Sequence, residues 1–263
     1  MNKVFSKDGT AIAFDRAGQG PPVILVDGAL CYRASGPMRP LAALLASHFT
    51  VFTYDRRGRG ESDGNAPYSV QREVEDIEAL IEVSGGSAYV FGISSGAALA
   101  LDAANRLPAI KKLAVYEAPF IVDASRPPIP GDFLARLNEL VASGRRGEAV
   151  KSFMKFVGVP GVLVFLMGLM PVWSKLKAVA HTIPYDIMIV GENQRGKPLP
   201  AERWASVTAP TLAMDGGKSP QWMRRAIQAL ADVLPNAKRR TLEGQTHMVK
   251  PDAIAPVLTA FFA

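Results

Sequence analysis

The run Val90-Phe91-Gly92-Ile93-Ser94-Ser95-Gly96-Ala97-Ala98 places a G-x-S-x-G pattern between an apolar, strand-like segment and a helix of small residues. In that setting the serine occupies a tight strand-to-helix turn, where flanking glycines remove side chains that would collide with neighbouring backbone. Ser94 would then present its hydroxyl as a nucleophile for acyl transfer, and Ser95 would contribute its backbone N–H. A serine here could also merely cap the helix that begins at Ser95. What favours chemistry is the context: the strand before it, the Ala-rich helix after it and a histidine near the C-terminus.

A serine nucleophile needs a base within reach. The chain has three histidines, His48, His181 and His247. Only His247, in Glu243-Gly244-Gln245-Thr246-His247-Met248, falls in the loop expected after the last strand. His48 ends an expected surface helix, and His181 lies in a central segment that breaks the strand–helix alternation. The third member, an acid to hold the imidazole, has two candidates. Glu117 follows the strand Lys112 to Tyr116, and Asp215 ends the strand Thr211 to Met214. Both would sit at the carboxyl edge of a parallel sheet, where sites of open α/β folds collect.

The elements that must position these groups follow a βα rhythm. Strands are expected at Thr10 to Arg16, Pro22 to Asp27, Thr50 to Tyr54, Ala88 to Phe91, Lys112 to Tyr116, Thr211 to Met214 and Lys238 to Leu242. Helices are expected at Pro37 to His48, Ser69 to Val83, Ser95 to Leu107, Pro220 to Leu234 and Asp252 to Phe262, which argues for a mostly parallel sheet flanked by helices. The alternation breaks between residues 120 and 203. That stretch reads as a helical cap inserted into one core made of residues 1–119 and 204–263. The charge-free run Phe156 to Ser174 holds Pro160 and Pro171 and three glycines, so it is read as a buried or substrate-facing cap helix and no membrane association is expected.

Composition narrows the classes further. With 48% hydrophobic and 21% charged residues in 263, the chain can bury a large core, which excludes disordered and collagen-like readings. The single cysteine, Cys31, excludes an internal disulfide scaffold. The opening MNKVFSKDGT lacks the apolar run of a secretory signal, so a reducing cytoplasm is the expected compartment. The net charge of +6 is spread along the chain without finger or basic-region spacing, so no nucleic-acid partner is expected. No metal-ligand cluster, phosphate cradle or dinucleotide fingerprint appears, and cofactor-free chemistry is expected.

Taken together, PVILVDGAL, YDRRGRGESD, GISSGAALA, the inserted segment and GQTHMV resemble the α/β-hydrolase superfamily over almost the whole chain. The resemblance implies the α/β-hydrolase fold with a helical cap, and a triad in the order Ser94, acid, His247. It also implies an oxyanion hole from the N–H of Ser95 with that of Gly28 or Ala29, in a loop where many relatives have His-Gly and this chain has Asp27-Gly28. Many relatives carry an aspartate a few residues after the strand equivalent to Thr211 to Met214, where this chain has Ser219. Some take the acid from the preceding strand instead, which favours Glu117 and leaves Asp215 as the competitor.

The Asp-Gly pair, Glu117, Pro171-Val172-Trp173 and Thr182-Ile183-Pro184 also resemble the zearalenone-type lactone hydrolases, which implies Trp173 as a substrate contact. The resulting expectation is a serine hydrolase that cleaves an ester or lactone of a hydrophobic small molecule. A C–C bond hydrolase or haloperoxidase-like enzyme on the same triad, or a non-catalytic ligand-binding member of the fold, are the alternatives. The apolar cap would also suit a homodimer.

Overall fold

The computed structural model describes residues 2–263. Its strands are β1 (Asn2–Phe5), β2 (Ala11–Ala17), β3 (Pro22–Val26), β4 (Thr50–Tyr54), β5 (Ala88–Ile93), β6 (Ile110–Tyr116), β7 (Thr211–Gly216) and β8 (Ala237–Leu242). They form one eight-stranded sheet in the order β1-β2-β4-β3-β5-β6-β7-β8. The β1–β2 and β2–β4 pairings are antiparallel, and every later pairing is parallel. The edge strand β1 was not expected from the sequence: NKVF is short and mostly exposed, so it carries no burial pattern to read.

Alternation along the central strands builds a core on each face. Val23 and Leu25 of β3 join α1 (Met38–Leu45) and α10 (Pro251–Phe262) on one side. Ile24 and Val26 join α2 (Val70–Val83), α3 (Ser95–Ala104) and α9 (Gln221–Val233) on the other. Every residue of α3 is buried, because its sequence SGAALALDAA lets it lie close to the sheet. Ser69 starts α2 by accepting the N–H of Arg72 with its side chain.

Between β6 and β7 the chain forms α4 (Phe133–Ala142), α5 (Arg146–Phe156), α6 (Gly161–Met167), α7 (Val172–Val179) and α8 (Ile183–Val190), with short 3-10 turns. Leu137, Val150, Ile183 and Ile187 pack here into a third cluster, which also takes Leu30 from the loop after β3. Both ends of the segment reach the sheet core, where the rings of Phe120 and Trp204 lie 6.3 Å apart.

The reading of Phe156 to Ser174 as a single buried or substrate-facing cap helix is corrected in two respects, its continuity and its burial. The run is broken into α6 and α7 by Gly168 and Pro171, and α6 meets the helical stretch from Val172 at a bend of 100°. Most of its apolar side chains face outward, Val162 being 72% exposed, Phe165 66% and Leu169 73%, while Val164 is buried. Among the described residues no single helix is long and apolar enough to cross a membrane.

Candidate active site

Ser94 stands between the end of β5 and the start of α3 with φ 57° and ψ −128°. This backbone conformation costs on the order of 1–3 kcal/mol for a non-glycine residue. The fit around it leaves no room for side chains: a Cβ on Gly96 would lie 2.4 Å from the Val26 carbonyl oxygen, and one on Gly92 2.3 Å from that of Gly96. The Ser94 side chain makes no cap hydrogen bond to α3, so its hydroxyl is not used as a helix cap. Its own N–H donates to the Tyr116 carbonyl at 2.9 Å.

Among the described residues only three non-glycine residues have positive φ: Leu30, Ser94 and Glu117. Each belongs to a loop leaving the carboxyl end of a parallel strand, and strained backbone gathered at one sheet edge is a mark of a functional site.

Glu117 is fully buried, which no local feature of Glu117-Ala118-Pro119 announces. Its Oε1 accepts the N–H of Gly216 at 2.8 Å, and its Oε2 lies 2.8 Å from Nδ1 of His247. Of the three histidines, His247 is the one that pairs with a carboxylate among the described residues. The loop that carries it is tied down by Tyr116, whose hydroxyl donates to the Thr246 carbonyl at 2.6 Å. Lys218 N–H adds a 2.8 Å bond to the Gln245 carbonyl.

Asp215 is equally buried but is engaged elsewhere. Its Oδ2 accepts from Nε of Arg239 on β8 at 2.8 Å, and Nη2 of the same side chain lies 2.6 Å away. His48 is exposed beyond the end of α1, and His181 sits in the 3-10 turn before α8, beside Gly58.

The loop after β3 runs against the serine. A Cβ on Gly28 would lie 3.1 Å from that of Ser94 and 3.7 Å from its Oγ, so the Gly28 backbone borders Ser94 directly. Asp27 is buried with Oδ1 unpartnered. Burial raises its pKa to about 7, which the Arg59 and Arg56 charges do not offset. Burial likewise pushes the Cys31 thiol up to about 12, so it stays protonated at neutral pH.

Ser95 is buried, and its hydroxyl donates to Oδ1 of Asp186 on α8 at 2.7 Å. Trp173, on α7, is half-buried; its indole packs against Gly147, with Nε1 3.9 Å from where that residue's Cβ would be.

Reading of the sequence missed Tyr116 and Asp186. Tyr116 ends a strand as an ordinary core residue would, and Asp186 is one carboxylate in an apolar helix. A lone acid in IPYDIMIV was the available signal, since a buried charge requires partners.

The sequence matches the alpha/beta hydrolase family over residues 23–257. A crystal structure of an alpha/beta hydrolase from Sphaerobacter thermophilus DSM 20745 is 56% identical over 100% of both chains, with a TM-score of 0.91. A hydrolase from Pseudomonas aeruginosa PA01 shares the fold, with a TM-score of 0.74 at 21% identity over 100% of this chain and 98% of that one. An uncharacterized hydrolase, YraK, of Bacillus subtilis (strain 168) is 35% identical over 111 residues, 41% of this chain and 40% of that protein. With the family matched from β3 to α10 and a relative of the same family aligned end to end, the chain belongs to the alpha/beta hydrolase family.

Proposed function

We propose that the protein is a serine hydrolase that cleaves an ester or lactone of a hydrophobic small molecule through Ser94, His247 and Glu117. The observation that carries this reading is the 2.8 Å pair between Glu117 Oε2 and His247 Nδ1, on the same sheet edge as the strained Ser94. A carboxylate at Nδ1 keeps that nitrogen protonated and leaves Nε2 free to accept the serine proton.

Ser94 Oγ attacks the carbonyl carbon as its proton passes to Nε2 of His247. The tetrahedral oxyanion is held by the N–H of Ser95 and by that of Gly28 or Ala29. Collapse expels the alkoxide, which takes its proton from His247. Water, deprotonated by the same imidazole, then hydrolyses the acyl-Ser94 ester and regenerates the serine. The Glu117 carboxylate stabilises the imidazolium.

An apolar acyl or lactone substrate is supported by the helical segment 120–203, which we assign as a cap. It lies between the strands that carry Glu117 and Asp215, and it packs on Leu30 of the loop beside Ser94. The test is turnover of p-nitrophenyl esters of increasing acyl length and of aromatic macrolactones. Rates that rise with apolar size support the assignment. Labelling of Ser94 by a fluorophosphonate with a wholly inert panel would contradict the substrate class.

A further inference from the structure

The loop after β4 contains three arginines, and Arg56, Arg57 and Arg59 are each 1% exposed. Arg57 is accounted for by Asp76 and Asp8, which tie the loop to α2 and to the β1–β2 turn. Arg56 and Arg59 point the other way. Arg56 Nη1 lies 2.8 Å from Oδ1 of Asp186, and Arg59 Nη2 lies 2.7 Å from its Oδ2. Glu73 supplies a second carboxylate to Arg56, through bonds of 2.7 and 2.8 Å. Burial alone would raise the Asp186 pKa, but the Arg59 and Arg56 charges outweigh it and hold the carboxylate below its ordinary range.

Both guanidiniums spend further donors on the loop beside Ser94. Arg59 Nη1 donates to the Gly28 carbonyl at 2.7 Å and to that of Cys31 at 3.2 Å. Arg56 Nη1 donates to the Asp27 carbonyl at 3.3 Å. In a trans peptide the C=O and the following N–H lie in one plane and point in opposite directions. Holding the Gly28 carbonyl therefore fixes the plane that carries the Ala29 N–H, and holding the Asp27 carbonyl fixes the Gly28 N–H. A cation on the carbonyl also polarises the peptide, which strengthens its N–H as a donor. Asp186 closes the arrangement from the far side, because its Oδ1 accepts the hydroxyl of Ser95.

We propose that the buried Arg56–Arg59–Asp186 cluster, built jointly by the β4 loop and helix α8, is the positioning device that orients and polarises the oxyanion-binding amides of Gly28, Ala29 and Ser95. This inference rests on the serine-hydrolase reading above. A buried ion cluster is weak support for stability in itself, since desolvation offsets the attraction. Its effect here falls on the transition state, because the amides are aimed at charge that exists only there. It also makes the seating of α8 a condition for a competent oxyanion site.

The test compares Arg59→Lys, Asp186→Asn and Ser95→Ala with wild type. The readouts are kcat and KM on a p-nitrophenyl ester, and inhibition by a trifluoromethyl ketone and by the matching methyl ketone, which binds without forming the tetrahedral adduct. Arg59→Lys and Asp186→Asn are expected to lower kcat by 10- to 100-fold and to weaken the trifluoromethyl ketone by a similar factor, on the scale of losing one oxyanion donor or less. KM and the methyl ketone should change less than about twofold. Ser95→Ala keeps its N–H and should lose a few-fold in kcat; it carries the test if Asp186→Asn does not fold. Unchanged kcat in folded Arg59→Lys and Ser95→Ala, or equal weakening of both ketones, overturns the positioning role while leaving the serine-hydrolase reading intact. Failure of the wild type both to turn over and to take a fluorophosphonate at Ser94 overturns the reading itself.

Discussion

The carboxylate of Glu117 joins the end of β7 to the loop after β8: one oxygen accepts the Gly216 amide, and the other lies 2.8 Å from Nδ1 of His247. Asp215 is one residue from that amide, yet it faces Arg239. Two adjacent parallel strands thus deliver two buried carboxylates with different partners.

Exchange of each acid for its amide separates the roles. Glu117→Gln is expected to lower kcat by about 10³-fold or more, because the amide can present its NH₂ to Nδ1 and favour the wrong tautomer. Asp215→Asn should keep kcat within about threefold and cost on the order of 2 kcal/mol of stability, since Arg239 loses its charged partner. Steady-state kinetics and urea unfolding of both variants decide it. A reversed pattern assigns the acid to Asp215.

Tyr116→Phe removes the 2.6 Å bond to the Thr246 carbonyl and nothing else of that size. A loosened His247 loop should lower kcat by about 3- to 10-fold with KM unchanged, and stability should fall by about 1 kcal/mol. A variant equal to wild type in both would show that Tyr116 does not hold His247 in place.

Asp27 predicts a pH dependence of stability. Burial puts its folded pKa near 7, above the unfolded value of about 4, with Arg59 and Arg56 pulling it down and Asp55 pushing it up. The folded state therefore holds a proton that the unfolded state has released across that window. Stability from this group is complete below about pH 4 and declines as pH rises to about 7, by roughly 3–4 kcal/mol. Asp27→Asn should be more stable than wild type at pH 8 and gain less at pH 5, as read by chemical denaturation at the two values. A gain that does not vary with pH contradicts a protonated Asp27.

The outward-facing residues of α6 and of the turn after it predict tolerance in a run whose apolar composition is consistent with burial. Leu169→Ser and Phe165→Ser should change stability by no more than about 0.5 kcal/mol, whereas Leu137→Ala, in the buried third cluster, should cost about 2–5 kcal/mol. Thermal melts of the three variants check the contrast. A large loss from Leu169→Ser would mean that the face is covered.

What the sequence discloses is what is local. The turn at Ser94 is specified within five residues, and the βα rhythm is specified by patterns no longer than one helix, so both are legible. The choice between Glu117 and Asp215 is not. It depends on Arg239, 24 residues from Asp215, and on His247, 130 residues from Glu117. The same holds for Arg56 and Asp186, which are also 130 residues apart, so nothing local to DRRGRGESD discloses the carboxylate that pairs with it. The segment 156–174 misleads for the opposite reason, since apolar composition reports the wish for burial but not whether a partner exists within the chain.

Formation of a covalent acyl intermediate on Ser94 is read by intact-protein mass spectrometry after a fluorophosphonate or a slowly deacylating p-nitrophenyl ester. A single adduct on wild type that maps to Ser94 is expected, with its loss in Ser94→Ala and a parallel loss of ester turnover in a variant that remains folded. Undiminished turnover in Ser94→Ala, or an adduct that persists elsewhere on the chain with the same kinetics, would contradict it.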